Sequence, residues 1–207
     1  WVVISDETRN IKNKIEQQGV PIKEQNILIN YGIKTGCDTA YFLTQEQRDS
    51  IINKCSSEEE KLRTNLIIRP MLRGRNILKY NVEWNKMWMI NFHNGIRGKL
   101  SPLSIEDYPA IKEHLDKYLV RLTKRSDKGD TPYNLRNCAY VQAFDAPKII
   151  YPETTKFMPF YYDEKGYLTA KTCFIMTGEH LSFLTAFFNS SLFKYCFRDD
   201  FGTLFGG

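Results

Sequence analysis

The 207-residue chain is 42% hydrophobic, 14% aromatic and 26% charged, which suffices for a packed core and excludes a disordered or low-complexity chain. Its longest apolar runs, such as Leu66–Ile68 and Met87–Ile90, fall far short of the roughly 18 residues of a membrane-spanning helix, so no membrane partner is expected. The net charge of +5 is modest but uneven: residues 63–99 carry eight basic groups against one acidic, and 117–148 seven against three, whereas 1–62 carry eight against ten. Two basic blocks suit a face that meets a polyanion, and a merely solvated surface gives the same pattern.

In chain order, Ser5-Asp6 can cap a helix from Glu7, with Ile11 and Ile15 on one side and Gly19 and Pro21 stopping it. Ile27–Ile29, a glycine-containing turn over Tyr31–Asp38, and Ala40–Leu43 read as strand, turn, strand. Thr44 with Gln47 forms a capping box for a short helix to about Lys54. The acidic run Glu58–Glu60 reads as a solvated loop or helix start. Leu66–Pro70 is a strand ended by proline, Arg73–Asn76 a basic turn, and Met87–Phe92 a strand buried on both faces. From Ser104 the stripe Ile111, Leu115, Tyr118, Leu119, Leu122 predicts one long central helix, ending in the charged loop 124–130. Lys148–Glu153 is a strand, and Phe157–Tyr162 with Tyr167–Met176 predicts a hairpin across Asp163–Gly166. An apolar helix from His180 to about Phe197 closes the chain. The fold class expected is α+β, a single domain with a mixed, mostly antiparallel sheet and flanking helices.

The five cysteines are scattered, without a C-x-x-C pair, and the three histidines stand apart from them; a reducing cytoplasm and no structural zinc follow. The Pro-Pro-aromatic loop that DNA amino-methyltransferases use to hold a flipped base is missing, as is a glycine-rich nucleotide turn. Short acid-x-Lys patterns at Glu59/Lys61, in an acidic run, and at Asp163/Lys165, in a hairpin turn, have no upstream Pro-Asp partner and read as surface charge rather than a nuclease centre. No catalytic and no metal-ligating residue is therefore assigned.

What the sequence does offer suits nucleic acid. Arg69, Arg73 and Arg75 lie close together beside Gly74, and arginine forks match guanine edges. Lys34, Thr35 and Asp38 sit in a glycine turn that can approach a phosphate closely. Lys124, Arg125 and Lys128 end the long helix, while Tyr133 and Arg136 offer a stacking ring and a cation; Lys148 closes the second basic block. Each has a structural alternative: an ion pair, a plain turn or a helix-dipole partner.

Several segments together resemble the TaqI-like C-terminal specificity domain. They are Tyr31–Phe42, similar to that family's G-I-x-T-G-x-N-x-A-F segment; Ile68–Ile77; Tyr108–Leu115; Tyr133–Arg136; Pro147–Glu153; and Asn189–Phe193, similar to L-N-S-x-L-F. They follow the family's order along nearly the whole chain. Cys37-Asp38 stands where the family often has asparagine after the turn glycine, and Pro132-Tyr133 where it often has an aromatic pair. The resemblance implies that residues 1–207 are a double-stranded-DNA target-recognition domain of a bacterial restriction–modification enzyme. It further implies an adenine-specific methyltransferase domain, and in type IIG enzymes a nuclease, elsewhere in the same polypeptide. Those parts would use S-adenosylmethionine and Mg, with no cofactor in this chain. The chain opens at Trp1 without an initiator Met and stops at Gly207, and both ends read as cuts through a larger protein. Two other classes stay open: a fragment with its own nuclease or methyltransferase chemistry, and a protein-interaction module with a basic face.

Overall fold

The computed structural model describes residues 5–154 and 158–197. In chain order its helices and strands are α1 (Asp6–Gln18), β1 (Ile27–Tyr31), α2 (Asp38–Tyr41), β2 (Phe42–Leu43), α3 (Gln45–Asn53), α4 (Glu58–Ile67), β3 (Ile68–Leu72), β4 (Ile77–Leu78), β5 (Asn81–Val82), β6 (Trp88–Ile90), α5 (Pro109–Asp116), α6 (Leu119–Lys124), β7 (Lys148–Pro152), β8 (Tyr161–Asp163), β9 (Leu168–Thr169), β10 (Cys173–Gly178), α7 (Leu181–Phe188) and α8 (Ser191–Phe197). This is a single-domain α+β arrangement. One four-stranded sheet, in the order β1-β10-β7-β8, is wholly antiparallel; a second runs β2-β6-β3-β9, and β4 with β5 forms a separate hairpin.

The larger core packs Met71, Met89 and Ile90 of the second sheet with Tyr41, Ile51, Ile111 and Leu115 from the helices. The smaller lies between the first sheet and the last two helices, where Phe160, Phe188 and Phe193 form a tilted and edge-on aromatic cluster. The expected caps are present: Ser5 Oγ accepts from Thr8 N–H, and Thr44 and Gln47 satisfy each other's backbone donors.

Five expectations about the helices and strands are corrected. The predicted strand 40–43 is shortened to β2, because Asp38–Tyr41 winds one helical turn first. β3 runs through Pro70 to Leu72: Met71 N–H bonds to Met87, so the proline nitrogen faces away from β6, where no donor is required. The long central helix is broken into a 3₁₀ turn (Ile105–Asp107), α5 and α6. Tyr108 precedes a proline and takes φ −133°, ψ 62°, so the α-helix can begin only at Pro109. The terminal helix likewise splits at Asn189, whose buried amide turns sideways to hold both backbone groups of Phe160.

The fifth correction concerns the hairpin over Asp163–Gly166. β8 pairs with β7, whereas β9 pairs in parallel with β3 in the other sheet, so the two strands part instead of pairing (Phe157 lies outside the described residues). The cause is Asp163. Its carboxylate accepts from Lys165 N–H at 2.9 Å and Tyr167 N–H at 3.0 Å, turning the chain away, and it pairs with Lys148 at 2.6 Å with both side chains fully buried. Asp163 is therefore a core carboxylate and not surface charge. The run Glu58–Glu60 opens α4, the helix start that is one of its two expected forms, but Glu60 is buried rather than solvated. Burial pushes its pKa up, but bonds from Ala110 N–H and from Ser56 outweigh that and leave it lowered.

Candidate nucleic-acid interface

The turn after β1 is where the sheets and loops meet. Ile33 bridges Ala170 in parallel, and Leu72 pairs with Thr169 in parallel, so three chain segments run side by side in one direction. Gly32 is obligatory there, because a Cβ would lie 2.0 Å from the Ala170 carbonyl oxygen. Ile33, Ala170 and Leu72 are buried, and a cation follows each: Lys34 and Lys171 are exposed, and Arg73 is half-buried. Lys34 and Lys171 follow the bridged pair Ile33 and Ala170, whereas Arg73 stands level with Ala170 because Leu72 pairs with Thr169; all three leave the same end of adjacent segments spaced about 5 Å apart. Arg73 stacks its guanidinium 5.2 Å over the Phe42 ring, and Arg75 is exposed one residue past Gly74. No carboxylate lies within ion-pairing distance of Lys34, Lys171, Arg73 or Arg75 among the described residues. No motif marks Lys171; only the parallel pairing of β9 brings it here.

Lys34 also borders a second group of loops held by one buried arginine. Arg125 donates to the Thr35 carbonyl, to the Tyr41 hydroxyl at 2.7 Å, and to the carbonyls of Pro132 and Asn134 at 3.0 and 2.6 Å. One guanidinium thus ties the 34–38 turn, α2 and the 131–136 loop to the end of α6. Its planar fork suits that task, and a lysine could not reproduce it. Tyr41 passes the link on, donating to the Tyr133 carbonyl at 2.7 Å; burial, only partly opposed by Arg125, raises its pKa. Within the turn, Thr35 Oγ1 donates to the Asp38 carboxylate and accepts from Cys37 N–H at 3.2 Å, while Gly36 adopts φ +64°.

The twelve residues marked by the sequence thus separate into two sets. Lys34, Arg73, Arg75 and Lys124 are uncompensated cations. Lys128 is exposed, with its ammonium on the Thr123 carbonyl at 2.8 Å, and Arg136 is over half exposed and pairs with Asp127 at 3.1 Å. Asp38 is exposed at the start of α2. Tyr133 is half-buried against the larger core, and its hydroxyl is committed to Asp116 at 2.6 Å, which pushes its pKa up to about 12.

Four members of the predicted set are placed otherwise. Thr35 and Arg125 are buried and organise the loops from beneath. Arg69 is spent on Asp145 at 2.5 Å and on the carbonyls of Phe144 and Gly166. Lys148 is fully buried on Asp163 and the Phe144 carbonyl, and burial lowers its pKa. Arg125 and Lys148 cannot present their charge to a ligand without breaking the core, and Arg69 would have to give up Asp145 and its two carbonyls.

No three His, Cys, Asp or Glu side chains come together to hold a metal ion among the described residues, and no helix there is long and apolar enough to cross a membrane. Residues 69–204 match the model of the TaqI-like C-terminal specificity domain, about two-thirds of the chain. The chain belongs to that family. Among solved structures the fold is similar to that of the Type IIL restriction–modification enzyme MmeI, determined in complex with DNA. The TM-score is 0.56 at 15% identity, over 82% of this chain. The chain spans about a fifth of that protein's length, 21%.

Proposed function

We propose that this specificity domain recognises double-stranded DNA on behalf of a restriction–modification enzyme. The observation that carries the reading is the convergence of cations with no ion-pair partner among the described residues, Lys34, Lys171, Arg73 and Arg75, on neighbouring turns of a chain in the TaqI-like family, with Lys124 exposed at the end of α6. Duplex DNA presents phosphates at regular spacing, and cations fixed by register and by the Arg125 hub can meet them with little ordering cost. Arg73 and Arg75, with the Lys34–Asp38 turn, are the side chains assigned to base edges; a bidentate arginine contact discriminates by about 1–3 kcal/mol. Thr35 and Arg125 hold that surface in shape.

Methylation of adenine, and cleavage if the parent performs it, belong in this proposal to other parts of a longer polypeptide, as do S-adenosylmethionine and Mg. Among the described residues no carboxylates cluster in a set that would hold Mg, and the glycine turn after β1 is filled by its own contacts with Ala170 and Arg125. A cytoplasmic setting accords with the free thiols of Cys37, Cys55, Cys138 and Cys173.

The test is the salt dependence of duplex binding by the 207-residue chain. Each phosphate contact contributes a slope of about −0.9 in log K against log salt, so Lys34→Ala and Lys171→Ala should each reduce the slope by about one. Binding whose affinity barely changes with salt would contradict the reading and favour an acidic protein partner.

A further inference from the structure

Residues 93–102 form a feature that the DNA reading above leaves unused. Ile96 and Leu100 bridge each other, and Leu100 N–H and Lys99 N–H both return to the Ile96 carbonyl, closing a three-residue tip, Arg97-Gly98-Lys99. Gly95, at φ +69°, turns the chain into the tip; a Cβ there would lie 2.3 Å from the Leu100 carbonyl oxygen. At the apex, Gly98 has φ +74° and a Cβ would meet nothing within 4 Å. The tip is therefore thin and free-standing, with a bare apex between two exposed cations. Neither cation has an ion-pair partner among the described residues. An open cleft of about 820 Å³ separates the tip from Asn137–Ala139.

The base of the tip is anchored. Asn94 is buried, accepts from Asp130 N–H at 3.0 Å and donates to Asn137 Oδ1 at 2.5 Å. Asn134 donates to the carbonyls of His93 and Leu103, gripping both ends of the segment. The same loop that meets Asn94 also touches the basic turn, since a Cβ on Gly36 would lie 3.0 Å from Asp127 Cβ. Three residue steps from Asp127 to Asp130 span at most about 10 Å. The base of the tip, at Asn94, is thus tied through one short loop to the Lys34 turn, and the two stand within about two groove widths of each other along the duplex they would face.

We propose that this tip is a minor-groove reader, with Arg97 inserted into the groove beside the phosphates that Lys34 grips; this rests on the DNA-recognition reading. A helix or a two-stranded ribbon fills a major groove, whereas a single tight turn with a glycine apex fits the narrow one. A narrow minor groove carries an enhanced negative potential that attracts arginine, most strongly at A·T tracts. The tip would then favour A·T pairs at positions that Arg73 and Arg75 do not reach.

The experiment compares two labelled duplexes of equal length, one with a central A·T tract and one all G·C, by anisotropy at fixed salt. Arg97→Ala should weaken binding to the A·T duplex by about tenfold and to the G·C duplex far less. Arg97→Lys, which keeps the charge on a more strongly hydrated head, should retain G·C affinity without restoring the A·T preference. Because Arg97 is exposed and unpaired, neither change threatens the fold. Equal losses on both duplexes, or no loss on either, would overturn the proposal and leave the DNA reading intact. Failure of the unaltered chain to bind either duplex would remove that reading and this inference with it.

Discussion

Buried charge in this domain is concentrated in a few residues whose loss should be felt as stability rather than as affinity. Lys148 and Asp163 are fully buried at 2.6 Å, so removing one partner strands the other. Lys148→Met should cost about 3–5 kcal/mol in urea unfolding, with part recovered when Asp163→Asn is added. The salt slope of DNA binding should not change, which separates Lys148 from the exposed cations. Arg125→Lys keeps the charge but cannot span four acceptors. Leaving buried acceptors unpaired costs about 1–3 kcal/mol, and the turn at Lys34 should loosen with it, lowering both melting temperature and DNA affinity. His114 is buried with Nε2 3.0 Å from the Ala40 carbonyl, and burial lowers its pKa below the ordinary 6.5. The unfolded chain then binds the proton more readily, so stability is full above about pH 6.5 and falls as the pH drops from there toward the folded pKa. His114→Gln should flatten that decline in unfolding titrations, leaving the share due to His93, whose pKa burial also lowers.

At the level of elements, local chemistry was readable and pairing was not. The Thr44/Gln47 box, the Ser5 cap and the buried strand around Met89 follow from side chains acting on near neighbours, and all are present. The break at Tyr108 could have been read too, since a residue before proline resists helical angles. The parting of β8 and β9 could not: Asp163-Glu164-Lys165-Gly166 has the composition of a hairpin turn, and only its burial against Lys148 turns the aspartate into the device that redirects the chain. Because that parting places β9 beside β3, it also places Lys171 beside Lys34 and Arg73. The same limit applied to the candidate site. Arg69, Arg73 and Arg75 are equivalent in sequence, yet the first lies where Asp145 and two carbonyls capture it and the other two do not. A prediction belongs here: Gly32→Ala, which would drive a Cβ into the Ala170 carbonyl, should disrupt the parallel bridge and lower both stability and DNA affinity.

For the molecule as a whole, the segment 32–38 stands between the two basic blocks of the sequence: Ile33 bridges Ala170, which bonds to Leu72 of the first block, and Thr35 and Gly36 meet Arg125 and Asp127 of the second. Separate stretches thus form one cationic surface, backed by two cores. Such a surface on rigid supports accounts for both halves of the proposed role: phosphates set the register, and a few fixed side chains discriminate among bases. The most direct measurement is selection from a randomised duplex library by the 207-residue chain, followed by sequencing of the retained DNA. The account predicts enrichment of one short motif, relaxed at particular positions by Arg73→Ala or Arg75→Ala. Retention of duplex DNA without enrichment of any motif would contradict it.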